Sequence, residues 1–236
     1  MAQTELLQKV KTMTENTQPE PSFKKLIPQL IEKGLDKINL SMFNEDMRKE
    51  LLNALGDEYL RKGKLQEALK TFILTGNKQK LSAVGDEYDK IALVSNAVDA
   101  YTLADNRDKL LSTGMRCLND SRLGDAIKAF RALNNNELLT KVGEECVKKQ
   151  RWEFAIEVFN TINNKQKLGE VGDKCLTEHQ LGYAAKAYEL ADDKERLSGL
   201  GDACLKEGLV NTAVTADTKA GNEIMLHFIK ENFLKQ

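Results

Sequence analysis

The chain has 236 residues, 41% of them apolar and 30% charged, with a formal net charge of −1, so it can build a core beneath a heavily charged surface. That near-neutral balance gives no global attraction to nucleic acid or to an anionic membrane, both of which draw on a basic excess. No basic-then-apolar leader opens the chain and no apolar run reaches the length of a membrane span, so a cytoplasmic protein without membrane association is expected.

Abundant Leu, Ala, Lys and Glu, with only three prolines, favour helix over strand throughout. Residues 1–21, ending in Pro19-Glu20-Pro21, read as a tail or a short helix. Residues 22–49 read as an irregular N-terminal cap, a decayed repeat. Gly34 and Phe43 stand 29 residues before Gly63 and Phe72, while Pro28 and the run 39–44 interrupt the pattern.

From 50 to 221 the chain repeats every 29 residues, six times. Gly56, Gly85, Gly114, Gly143, Gly172 and Gly201 mark the period. Four residues before each stands a leucine, from Leu52 to Leu197, and twelve after each an alanine, from Ala68 to Ala213. Sixteen after stands an aromatic in five repeats (Phe72, Tyr101, Phe130, Phe159, Tyr188) and Asp217 in the sixth. Three after come Tyr59, Tyr88, Cys117, Cys146, Cys175 and Cys204.

Within one repeat, Leu52, Leu55, Gly56, Tyr59 and Leu60 fall at i, i+3, i+4, i+7 and i+8, the apolar stripe of a first helix, A. Gly63 ends it. Leu65, Ala68, Leu69 and Phe72 form the stripe of a second helix, B. Gly76-Asn77 closes the repeat, and Asp105-Asn106, Asn134-Asn135, Asn163-Asn164, Asp192-Asp193 and Gly221-Asn222 hold the same place. Such residues accept left-handed backbone and cap the N–H groups of the next helix. Glycine inside a helix costs about 1 kcal/mol against alanine. Close approach of helix A to helix B, with the helix-B alanine facing the glycine, is the expected return. At the end, Leu226, Ile229 and Phe233 stand 29 residues after Leu197, Leu200 and Cys204, so residues 222–236 read as a C-terminal capping helix.

The residues Leu52, Leu55, Gly56, Tyr59, Ala68 and Phe72, with a final alanine at Ala104, Ala191 and Ala220, resemble the tetratricopeptide repeat over roughly residues 50 to 224. The family's repeat is about 34 residues, and its helix-ending proline is replaced here by Lys80, Lys109, Lys167 and Arg196 at the joint. A tighter turn from B into the next A follows. The resemblance implies an all-α fold: a right-handed α-solenoid of about six helix–turn–helix repeats with capping helices at both ends.

It also implies that helix A lines a concave face and that the residue after each glycine points into the groove. Asp57, Asp86, Glu144, Asp173 and Asp202 hold that place, with Met115 the exception. They form an acidic stripe suited to a basic or amide-rich peptide, set against the plainer reading of a solvated helix face. Trp152, which opens helix B of the fourth repeat beside Phe154, is a second candidate contact.

The four cysteines share one repeat position. Repeats stacked about 10 Å apart exceed the reach of a disulfide or of one zinc ion, so buried core thiols are expected. Cys175 and His179, four apart on one helix, have the types of a nucleophile and base but no third residue to orient them. No phosphate loop and no paired cysteine is present, so no cofactor or metal is expected. The expected function is therefore a non-catalytic scaffold binding a protein or peptide partner on the helix-A face. The alternatives are a structural, oligomerising or regulatory subunit of a larger complex and, ranked lower because the stripe is acidic, an RNA-binding helical repeat.

Overall fold

The computed structural model describes residues 27–35, 40, 41 and 43–234. The expected tail and the first part of the N-terminal cap lie outside them. Among the described residues the structure is all-α, with fourteen helices that pack on their chain neighbours within each of two bodies. It divides into two compact bodies, one up to Asn106 and one from Arg107 onward.

The N-terminal body holds α1 (Ile27–Lys33), α2 (Glu45–Arg61), α3 (Leu65–Thr75), α4 (Lys78–Lys90) and α5 (Val94–Leu103). The C-terminal body holds α6 (Arg107–Asn119), α7 (Leu123–Ala132), α8 (Asn136–Lys148), α9 (Trp152–Thr161), α10 (Lys165–Thr177), α11 (Leu181–Ala191), α12 (Lys194–Lys206), α13 (Val210–Ala220) and α14 (Glu223–Asn232). Helices A are α2, α4, α6, α8, α10 and α12, each paired with the helix B that follows. Within each body every repeat is thus a helical hairpin and consecutive hairpins lie on one another, an α-solenoid-like arrangement.

Turn chemistry sets the period. Each B-to-A turn puts one residue in left-handed backbone, from Gly76 at φ +66° to Asp192 at +58°. The Asn or Asp that follows then caps the next helix: the backbone N–H of Lys80 donates to the Asn77 side chain at 3.1 Å, and that of Arg196 to Asp193 at 3.0 Å. The A-to-B turn uses the same left-handed geometry without side-chain caps. The Leu93 N–H instead reaches back to the Tyr88 carbonyl at 3.0 Å and the Arg151 N–H to the Cys146 carbonyl at 2.8 Å, closing a Schellman-type turn.

At that second turn Gly63 and Gly208 are left-handed as their residue type favours, but so are Ala92, Ser121, Gln150 and His179. Left-handed backbone costs an L-residue roughly 1–2 kcal/mol, part of which returns as lost flexibility when glycine is introduced. Ala92→Gly is therefore expected to stabilise the chain by about 0.5–1 kcal/mol, measured by urea unfolding. A destabilisation would mean that this turn is not strained.

The alanine column and the ring column are both fully buried, and Leu55, Val84, Val142 and Leu200 seal the helix-A side. The glycine, however, faces the ring, not the alanine. A methyl group on Gly56, Gly85 or Gly114 would lie 2.5 Å from a ring carbon of Phe72, Tyr101 or Phe130. The expectation of an alanine opposite the glycine is corrected accordingly. The missing Cβ makes room for an aromatic side chain, the larger apolar contribution of the two.

Candidate functional site

The residue after each glycine lies on helix A, and the structure gives most of these carboxylates a base from the next helix A. Asp57 bridges to Lys80 at 2.6 Å, Glu144 to Lys167 at 3.4 Å, and Asp173 to Arg196 at 2.9 Å. The base stands 23 residues after its acid in the sequence, in the first turn of the following helix. Lys80, Lys167 and Arg196 are thus the cationic halves of a ladder tying repeat to repeat. Arg196 also reaches Asp193, and these two carboxylates hold its guanidinium protonated well above the ordinary arginine range.

The exceptions keep the rule. Repeat three has Met115 in the acid column and Leu138 in the base column, so both members of that rung are apolar. Asp202 meets Met225 in the base column and has no ion-pair partner among the described residues. Two tyrosines of the ring column add a second contact. Tyr101 donates to Asp86 at 2.8 Å and Tyr188 to Asp173 at 3.0 Å. Burial first, then the bond to Asp173, pushes the Tyr188 phenol well above its usual range.

Exposed ion pairs contribute about 0.2–1 kcal/mol each. Lys80→Asp alone, facing Asp57, should therefore cost about 1 kcal/mol in urea unfolding. Adding Asp57→Lys should recover most of it. Additive losses from the two changes would remove the rung from the account.

A groove of about 230 Å³ opens between α8 and α10 on the helix-A side. Val147, Phe159 and Val171 make its floor, while Glu144, Lys167, Glu170 and Lys174 stand around it. Lys167 is held between Glu170 and Glu144, and the bond to Glu170 foremost keeps its ammonium above the usual range. Lys174, by contrast, has no carboxylate partner among the described residues. Of the acidic stripe only Glu144 stands at this slot, and there it is engaged by Lys167.

Trp152 lies apart from this groove. It is 8% exposed and lines a second opening, of about 290 Å³, with Phe154 and Tyr183. Tyr183 was missed by the sequence reading, although it stands 29 residues after Phe154 in the same column. The structure does not bring Trp152 together with the acidic stripe.

The cysteines are four free, buried thiols, and burial pushes Cys146 and Cys175 up to about 11, far from the thiolate a nucleophile needs. His179 points away from Cys175: its Nδ1 lies 3.2 Å from Glu207 on an exposed turn. No group of three His, Cys, Asp or Glu side chains among the described residues is placed to hold a metal ion. No described helix is long and apolar enough to cross a membrane.

The sixth repeat holds the one charged side chain in the ring column. Asp217 is fully buried. Its Oδ1 accepts from Ser198 at 3.2 Å and from Asn222 at 3.3 Å, while Oδ2 has no donor. Burial foremost, with the charge of Asp202, raises its pKa.

No protein-family model matches the chain, and no curated protein matches it either.

Proposed function

We propose that this chain is a non-catalytic, tetratricopeptide-like interaction scaffold that takes a peptide or partner-protein segment on its helix-A face, the face the resemblance makes concave. The observation supporting this is the groove between α8 and α10, where an apolar floor of Val147, Phe159 and Val171 lies inside a ring of charged side chains. A slot of that kind suits one apolar anchor side chain oriented by flanking charge.

The ladder bears on the partner's charge. A basic peptide would have to displace Lys167 from Glu144 or Arg196 from Asp173. The cation left without a carboxylate at the groove is Lys174. The segment that fits best therefore brings an apolar residue to Val147, over the buried Phe159 and Val171, and a carboxylate to Lys174.

A displayed random-peptide library selected on the immobilised chain tests this. The expected result is enrichment of an apolar residue flanked by Asp or Glu, lost with Lys174→Glu, a change on an exposed position. If the library enriches nothing beyond what Lys174→Glu retains, the reading is overturned.

A further inference from the structure

The helix that closes the chain breaks the surface rule of the other helices A. Six and two residues before the glycine column, those helices carry polar or small side chains, such as Glu137 with Lys141 or Gln166 with Glu170. In the same register α14 carries Ile224 and Phe228, 82% and 47% exposed. Four residues apart, they share one face of the helix. Phe233, in the cysteine column, is half exposed and meets Phe228 edge-on, ring centroids 6.1 Å apart at 63°. Lys230 occupies the glycine column, so a ring cannot seat on α14 as it does on α2, α4, α6, α8 and α10.

The charges beside this face are self-complementary. Glu223 and Lys230 lie seven residues apart, two turns along the same flank, and neither has an ion-pair partner among the described residues. A second α14 laid antiparallel, about a two-fold axis at Leu226, sets each Ile224 against the other copy's Phe228. The same rotation brings each Glu223 within one residue of the other copy's Lys230, a step of about 1.5 Å that both long side chains span. A two-fold interface needs one patch that complements itself, and this one does in both shape and charge.

We propose that α14 is a homodimerisation helix that pairs antiparallel with the α14 of a second copy, Ile224 and Phe228 forming the apolar seam and Glu223–Lys230 the two flanking ion pairs. The patch is distinct from the groove between α8 and α10, so either can operate without the other.

Sedimentation equilibrium of the full chain at micromolar concentration reads it directly. The expected mass is twice the 26.5 kDa of one chain. Ile224→Glu with Phe228→Glu should return the single-chain mass with the helical circular-dichroism signal and a cooperative melt retained, because neither side chain is buried in the core. Lys230→Glu should weaken the dimer about tenfold by opposing like charges, and adding Glu223→Lys should restore it. That rescue belongs to an antiparallel self-pairing and not to capture of a different partner. A wild-type mass of 26.5 kDa up to the limit of solubility overturns the proposal. So does a dimer indifferent to the double glutamate variant, or one that the charge-swapped pair fails to restore.

Discussion

Asp217→Tyr is expected to stabilise the chain by about 2–4 kcal/mol at neutral pH, read as a higher melting temperature and slower hydrogen exchange in α12 and α13. Two terms add. A buried carboxyl oxygen without a donor costs about 1–3 kcal/mol, and a buried ring contributes about 1.5–3 kcal/mol in its place. The second repeat shows the result already built. There Asn106 donates to Ser82 at 2.9 Å beside the Tyr101 ring, and the Tyr101 hydroxyl donates to Asp86. The sixth repeat has the same surroundings waiting: Asn222 donates to Ser198 at 2.6 Å, and Asp202 stands where Asp86 does. A loss of stability would mean that α12 and α13 have closed around the smaller side chain and cannot reopen.

The same residue carries a pH signature. Its folded pKa is raised, so the folded chain holds that proton more tightly than the unfolded chain. The associated stability is fully present below the unfolded value and is lost as pH rises through the folded one. Wild type should therefore fall behind Asp217→Asn progressively as pH rises from about 4 toward neutrality. Comparing the two melting temperatures at each pH cancels the other carboxylates. A difference that does not change with pH would show that Asp217 is ionised at no cost.

The 29-residue columns were legible because each one repeats a single physical requirement six times. The Asn or Asp that caps each helix A declares itself by type, and so does the left-handed residue before it, as Gly76 and Asn134 show. The other turn is different. Ala92, Gln150 and His179 adopt the same backbone as Gly63, yet nothing in their chemistry asks for it, since a backbone bond to the Tyr88, Cys146 or Cys175 carbonyl holds the turn. The acidic stripe was legible as a column, but its meaning depended on which helix lies alongside. Lys80 and Asp57 are 23 residues apart, and only the stacking of one helix A beside the next turns that separation into contact. The glycine's true neighbour was hidden for a related reason. Alanine twelve residues on and the ring sixteen on share one stripe of helix B, and periodicity alone cannot say which of them reaches the glycine.

Gly143→Ala and Gly199→Ala test that contact, because the same substitution is expected to act with opposite sign. Both glycines lie inside helices, where alanine is favoured by about 1 kcal/mol on intrinsic grounds. At Gly199 the added methyl meets nothing within 4 Å, so that gain should appear undiminished in urea unfolding. At Gly143 the methyl would stand 2.7 Å from a carbon of the Phe159 ring and 3.1 Å from Val158. The ring is fully enclosed and cannot swing aside, so α8 and α9 must part. Overpacking of this kind costs about 1–3 kcal/mol or more, which outweighs the intrinsic gain. Phe159→Leu should reduce the penalty of Gly143→Ala, because it removes the atoms the methyl strikes, even though it opens space on its own account. A double-mutant cycle then returns a favourable coupling between the two changes. If Gly143→Ala stabilised as Gly199→Ala does, the glycine every 29 residues would owe its place to something other than the ring.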